Sequence, residues 1–467
     1  MNTKIVAIAA VAIVVVAAVG AGIVLMNDGN GGDPVGEPLG CLEVFGNANN
    51  DYVIDGSDIS LINRIIDEGM DWKEDYPFAD AYKDGVIDQR DVDQVNGILN
   101  ATFDNKIEVW HTNYYAEVQS IVTTMYPIQT AAASANNTTM ILFKSLGIDE
   151  QIVATSLSSS NISNGLVDQS KYDSTIYADY FDVMNEAQRI GSESALVTVD
   201  SKLTDFVTAG CSAYIFGSAN PKLTNESAIE DVGVDVIQIC DGMSDSNYFA
   251  TAALLLGFLF NQTDDGIEQR AASLTDFVKG FNDDLSNKVA SITNAKAGVA
   301  SSMKGYISIK GSTNTDIIEE AGLICPVASK NPENESSTTI KYTSDANSWL
   351  NYVGFDYAIV LKASTSGWSW FDKSYDSGEL PSSFKTHVNS FNTTQSYING
   401  NVLVVSTMLL GPLKSGVICQ YVYPEICGED WIDSYLNTFY TTYWGMDADD
   451  INGMKYILTQ DEVLGTA

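Results

Sequence analysis

Basic residues are scarce in this sequence. Its 467 residues include 24 Lys and Arg against 61 Asp and Glu, a formal charge of −37. With no basic stripe to displace phosphate counterions, electrostatic nucleic-acid binding is disfavoured. So negative a surface is repelled by anionic lipid and stays soluble. Histidine is scarcer still, at His111 and His387 only. That removes most zinc enzymes, which want two or three imidazoles. It also weakens a Ser-His-Asp or Cys-His hydrolase, although one His would suffice in principle. Six cysteines without a CxxC do not make a disulfide scaffold in a chain this long. Cys419 and Cys427 are close enough in sequence to pair, as are Cys211 and Cys240; buried free thiols are the alternative. A P-loop, a GxGxxG after a strand and a GxSxG elbow are all missing, so no enzyme is expected.

What is present is enough apolar material for real cores, 45% of residues, and length for two to four domains at about 100–200 residues each. Ile5 to Met26 carries no charge and follows Lys4. At about 1.5 Å per residue it crosses a roughly 30 Å hydrocarbon core, so residues 1–26 read as an uncleaved signal-anchor with the body outside the cell. Cleavage after the small residues near Ala18 is the alternative. Residues 27–40, with five glycines and two prolines, read as a flexible linker. Asn-x-Ser/Thr sequons recur from Asn100 to Asn392 and fit an exported surface in a prokaryote, with an archaeon among the candidates.

A duplication follows. At an offset of 33 residues Phe45 meets Phe78, Asp51 meets Asp84, Ile54 meets Ile87, Asp55 meets Asp88 and Asp58 meets Asp91. Each copy is an acidic loop and then a helix with apolar residues at helical spacing. Oxygens at loop positions 1, 3, 5, 7, 9 and 12 suit Ca²⁺. The first copy offers Asn47, Asn49, Asp51, the Val53 carbonyl, Asp55 and Asp58. The second offers Asp80, Asp84, the Val86 carbonyl, Asp88 and Asp91. Residues 41–103 thereby resemble the dockerin module, with two departures: Tyr52 stands at position 6, where a glycine is usual, and Tyr82 at position 3 of the second loop. The alternative is an acidic turn with no ion. The resemblance implies at most two Ca²⁺ and either a cohesin-type partner or docking on the chain itself.

From Lys106 onward β-rich runs alternate with helical ones. Expected strands are 107–111, 121–125, 128–133, 152–154, 213–216, 234–239, 305–309, 357–361 and 401–405. Asp264 to Ile292 reads as one long amphipathic helix with a stripe at Ile267, Leu274, Phe277, Val278, Phe281, Leu285 and Val289. The fold class is therefore α/β: two lobes with mostly parallel sheets, 104–261 and 295–467, joined by a helix at 262–294 and preceded by the small helical repeat and the transmembrane helix. The repeat and the lobes are expected to behave as independent modules.

Several runs then resemble, in order, the helical-backbone class of ABC-transporter substrate-binding proteins. They are Ile107-Glu108-Val109 to Tyr126-Pro127-Ile128, Leu142 to Val153, Ile229 to Ile237, Ile317 to Gly322, and Tyr423-Pro424-Glu425 with Trp431 to Trp444. The resemblance implies a binding protein for an iron-siderophore, haem or cobalamin, working with an ABC permease. Ligand contacts are expected from loops after strands: Asn136, Asn137, Ser218 and Met243 in the first lobe, and Lys310, Trp368, Trp370 and Phe371 in the second. The Trp368-Ser369-Trp370-Phe371 cluster suits a flat or bulky apolar chelate; packing in the lobe's core is the alternative. Asp200 and Asp345 match the family's acidic residues that dock onto basic sockets of the permease, where Glu is usual. A calcium-dependent surface scaffold or adhesion protein is the competing reading.

Overall fold

The structure is a computed structural model that describes residues 40–115, 118–133, 137–155, 188–189, 203–217, 226–240, 246–261, 266–329, 337–362, 380, 382–406, 409–428, 430–447, 451 and 455–466. In the repeat each acidic loop enters its helix by the same device. Asp55 caps α1 (Gly56–Glu68) and Asp58 at the third helical position bonds back to the cap. Asp88 and Asp91 do the same for α2 (Gln89–Leu99). Reciprocal capping satisfies donors that a helix start leaves open. Ile62 and Ile65 of α1 and Val92, Val95 and Ile98 of α2 are buried in the repeat's core. The residue at loop position 4 is left-handed in both copies, Asn50 at φ 57 and Lys83 at φ 62.

The repeat does not stand apart, which corrects the expectation of independent modules. The Phe45 N–H donates to the Trp110 carbonyl at 2.9 Å, and the Thr112 N–H to the Glu43 carbonyl at 3.1 Å. Residues 43–45 thus run beside β1 (Ile107–Tyr115), itself paired antiparallel with β2 (Val118–Tyr126). A Cβ on Gly97 of α2 would lie 2.6 Å from Ile107. Leu42, Val44, Ile62, Val95 and Ile98 belong to one buried apolar cluster that continues into both lobes. Gly40, at φ 68, lies against Ala250 and Thr251.

The first lobe is a five-stranded parallel sheet. Its members are β3 (Ala131–Ala133), β4 (Ile152–Thr155), β5 (Gln188–Arg189), β6 (Ala213–Gly217) and β7 (Asp235–Ile239), in the order β5-β4-β3-β6-β7. Apolar runs such as Ala-Tyr-Ile-Phe-Gly are buried throughout, as a sheet covered on both faces requires. Cys211 precedes β6 and Cys240 follows β7. Because Ala213 pairs with Asp235 and Gly217 with Ile239, the two cysteines sit at opposite ends of parallel neighbours. They cannot form the disulfide their spacing allowed.

Helix α3 (Asn137–Leu146) packs on this sheet. Helix α4 (Ser246–Leu259), apolar nearly all round, is buried. The linking helix α5 (Ile267–Ala290) runs 24 residues, roughly 36 Å; of the expected stripe it buries Ile267, Leu274, Val278, Phe281 and Leu285, adds Ala271 and Thr275, and leaves Phe277 and Val289 half-buried. α4 crosses α5 at Gly257, where a Cβ would lie 2.4 Å from that of Ala271.

The second lobe has its own four-stranded sheet, β13-β12-β11-β8. β8 (Gly298–Ser301), β11 (Tyr357–Lys362) and β12 (Val402–Ser406) are parallel, and β13 (Ile457–Leu458) is an antiparallel edge. Here the expected strand at 305–309 is corrected. β9 (Tyr306–Ser308) leaves the sheet and pairs antiparallel with β10 (Thr339–Lys341). The sheet takes the short run Gly-Val-Ala-Ser instead; Leu323 fills the space a side chain at Gly298 would need, 2.8 Å from its Cβ position.

Around the sheet lie α6 (Gly411–Val422), α7 (Pro424–Cys427), α8 (Trp431–Trp444) and α9 (Gln460–Leu464). The lobes also touch directly. Arg270 of α5 donates from Nε to the Ser145 carbonyl of α3 at 2.6 Å and from Nη2 to the Tyr443 carbonyl of α8. Trp444 Nε1 donates to Ser145 Oγ at 3.1 Å. Among the described residues no helix is long and apolar enough to cross a membrane; the apolar segment 5–26 lies outside them.

Candidate functional site

Parallel strands aim their carboxyl ends at one edge of each sheet, and in open α/β sheets the ligand crevice lies outside that edge. In the first lobe the edge is Ala133, Thr155, Gly217 and Ile239; in the second it is Ser301, Lys362 and Ser406. In sequence Asn136, Ser218 and Met243 come after β3, β6 and β7, and Trp368, Trp370 and Phe371 after β11; these six, with Asp200, lie outside the described residues. Asn137 opens α3. Lys310 follows β9 and so sits away from the parallel edge. Its ammonium pairs with Glu319 at 3.5 Å, about half exposed. Asp345 is exposed, and its carboxylate accepts from the Asn347 N–H at 2.8 Å within a surface turn.

Both histidines are built into cores. His111 is buried between the hairpin strands, with Nδ1 at 3.0 Å from the Thr112 carbonyl and Nε2 at 2.8 Å from Thr124 Oγ1. Burial pushes its pKa down to about 4, so the ring is neutral: one nitrogen donates and the other accepts. His387 Nε2 meets Ser301 Oγ at 2.8 Å, and that hydroxyl lies 2.7 Å from the Tyr306 carbonyl. The sequence counted these rings but could not show their partners, which come from strand pairing.

The acidic loops are the second candidate. In the first, Asn47 donates its amide N–H groups to the Leu42 and Asp51 carbonyls at 2.7 and 2.8 Å. Its Oδ1, fully buried, meets no donor. Asp58 is buried too, accepting from the Asn49 and Asp55 N–H groups at 3.2 and 2.8 Å, and burial pushes its pKa up to about 6. Asn49 Nδ2 lies 2.7 Å from Asp51 and 2.9 Å from Ser57 Oγ. Tyr52, the residue in place of glycine, stands beside Asp276 of α5. Nearby, Glu268 of α5 is pushed up to about 7 by burial and then by Asp51 and Asp55. An unmet buried oxygen amid uncompensated carboxylates fits a hard cation.

The second loop does not fit one. Both Asp80 oxygens accept backbone N–H groups, from Asp84 at 3.1 Å and Gly85 at 2.8 Å. Arg90 pairs with Asp84 and forks onto Asp88, with Nη2 at 2.7 Å and Nε at 3.0 Å, and its guanidinium lies 5.3 Å from the Tyr82 ring centre. That hydrogen bonding holds the Asp88 carboxyl below the usual range. Position 11, Ser57 in one copy and Arg90 in the other, was the readable signal for this difference. Among the described residues no three His, Cys, Asp or Glu side chains converge as ligands of one ion. A cation in the first loop would therefore rest on amide and carbonyl oxygens as well.

No family model and no curated protein matches the sequence. Solved structures do. Helicobacter pylori CeuE with Ni(II) bound is 14% identical, with a TM-score of 0.50 over 73% of this chain and 98% of that one. A periplasmic solute-binding protein of Veillonella parvula is 14% identical, with a TM-score of 0.51 over 74% and 96%. Haemophilus influenzae MolA bound to molybdate is 13% identical, with a TM-score of 0.51 over 70% and 96%.

The chain has the fold of the periplasmic solute-binding proteins. That fold covers nearly the whole of each neighbour, and the rest of this chain has no counterpart in them.

Proposed function

We propose that the chain is the extracytoplasmic substrate-binding component of an ABC importer for a metal chelate of the siderophore, haem or cobalamin kind, held at the membrane by residues 1–26. The observation that carries this is the pair of separate parallel sheets on one 24-residue helix, supported by the solute-binding fold. Asn136, Asn137, Ser218 and Met243 contact the cargo from the first lobe. Trp368, Trp370 and Phe371 face its flat surface from the second. With both histidines in cores, a pre-chelated metal suits these residues better than a bare ion. Asp200 and Asp345 steer the permease encounter. Melting the full chain against ferric siderophores, haem and corrinoids tests the reading. A cargo at a hundred times its Kd stabilises by about 2.7 kcal/mol, and a panel that leaves the melting temperature unmoved removes the proposal.

In the repeat we infer one Ca²⁺ site in the first loop, whose donors, Asn47, Asn49, Asp51, the Val53 carbonyl, Asp55 and Asp58, are drawn together by the ion. The ion supplies positive charge to oxygens that otherwise lack it. At the second loop Arg90 supplies that charge to Asp84 and Asp88. Calorimetric titration of the full chain is expected to give one Ca²⁺ per molecule, and Arg90→Ala is expected to permit a second, weaker one. Two ions on the unaltered chain contradict the role given to Arg90; none contradicts the site itself. The packing of α1 and α2 on their own chain favours this internal role over a cohesin-type partner.

A further inference from the structure

We propose that Cys419 and Cys427 form an intramolecular disulfide that locks the α6–α7 corner of the second lobe. α6 ends at Val422, and Pro424, which cannot continue it, opens α7. Tyr423 links the two cysteines through its backbone: its N–H donates to the Cys419 carbonyl at 2.8 Å, and its own carbonyl accepts from the Cys427 N–H at 3.1 Å. The two cysteines are thereby brought to one side of the corner, both buried, with their sulfurs 3.4 Å apart. A disulfide requires that gap to close to about 2.05 Å. Cys211 and Cys240, at opposite strand ends, offer no comparable approach.

The chemistry is thiol–disulfide exchange with a small disulfide such as glutathione disulfide. The Cys427 thiol is held below the ordinary thiol range by the hydrogen bond from Cys419, with Lys288 adding to the effect and burial opposing it. Lys288 also sits 4.9 Å from the Trp431 ring centre and 3.5 Å from the Cys427 carbonyl. The Cys427 thiolate attacks one sulfur of the reagent and expels a glutathione thiolate. Cys419, giving up its proton, then attacks the Cys427 sulfur and expels the second glutathione. Two protein thiols are oxidised, one glutathione disulfide is reduced to two thiols, and the two protons end on those thiols. The oxidising surroundings rest on the exported location proposed above; the pairing geometry does not.

The test uses the full chain equilibrated with glutathione disulfide, then denatured and alkylated. Four of its six cysteines are expected to take the label. Both cysteines fall in one tryptic fragment, so a Glu-specific protease, cutting after Glu425, is used; the pieces should stay linked until reductant is added. The oxidised chain should melt a few degrees above the reduced one, and Cys419→Ser and Cys427→Ser should each abolish that dependence on reductant. Labelling of all six cysteines, glutathione left attached, linkage elsewhere, or equal melting in both states overturns the proposal. A bond that forms in the tube but is missing from chain recovered from cells sinks the exported location and leaves the pairing intact.

Discussion

A single buried ring illustrates what one residue does here. His111 is fully buried and neutral, with a pKa of about 4 against an ordinary value of about 6.5. Above pH 6.5 neither the folded nor the unfolded chain carries a proton there, so no cost arises. As pH falls from 6.5 to 4 the unfolded chain takes a proton that the folded chain refuses. Stability present above 6.5 is lost through that window, on the order of 3 kcal/mol in all. Urea midpoints at pH 7 and pH 4.5 should therefore fall further for the native chain than for His111→Gln; equal falls would assign the titration elsewhere. Residue chemistry of this kind was only half legible. The scarcity of histidine removed most zinc enzymes on sight. The roles of His111 and Arg270 were not readable, because each is fixed by partners brought in by folding.

Among elements, the long helix was read almost residue by residue, since a period of 3.6 over 24 positions is a strong signal. β8 was missed because Gly-Val-Ala-Ser is short and only weakly β-favouring, while Tyr-Ile-Ser nearby looks more like a strand and is one, in the wrong sheet. Glycine placement gives a test with opposite signs on two helices. A side chain at Gly257 would strike Ala271 at 2.4 Å, whereas the Cβ position of Gly280 has nothing within 4 Å. Gly257→Leu should gain about 1 kcal/mol in helix propensity and lose more to overpacking, about 1–3 kcal/mol, so its urea midpoint falls. Gly280→Ala should stabilise the chain by about 0.5–1 kcal/mol and so raise the midpoint. A rise in both would mean that α4 and α5 are less closely packed than this crossing requires.

On the scale of the molecule, the duplicated loops and the two lobes were both visible in the sequence, but their joint was not. Nothing in a repeat of 33 residues says that its leading strand pairs with Trp110 and Thr112, or that its core runs on into the lobes. A chain starting at residue 104 should uncover Val109 and His111 and melt about ten degrees or more below the full chain, if it folds. Calorimetry decides this, and a truncated chain that melts within about a degree of the full one would restore the picture of separable modules.

The seat of Gly40 against Ala250 and Thr251 has a mechanical meaning. A pull on the chain ahead of Gly40 is delivered to the flank of the first lobe as well as to the repeat, because that glycine sits on α4.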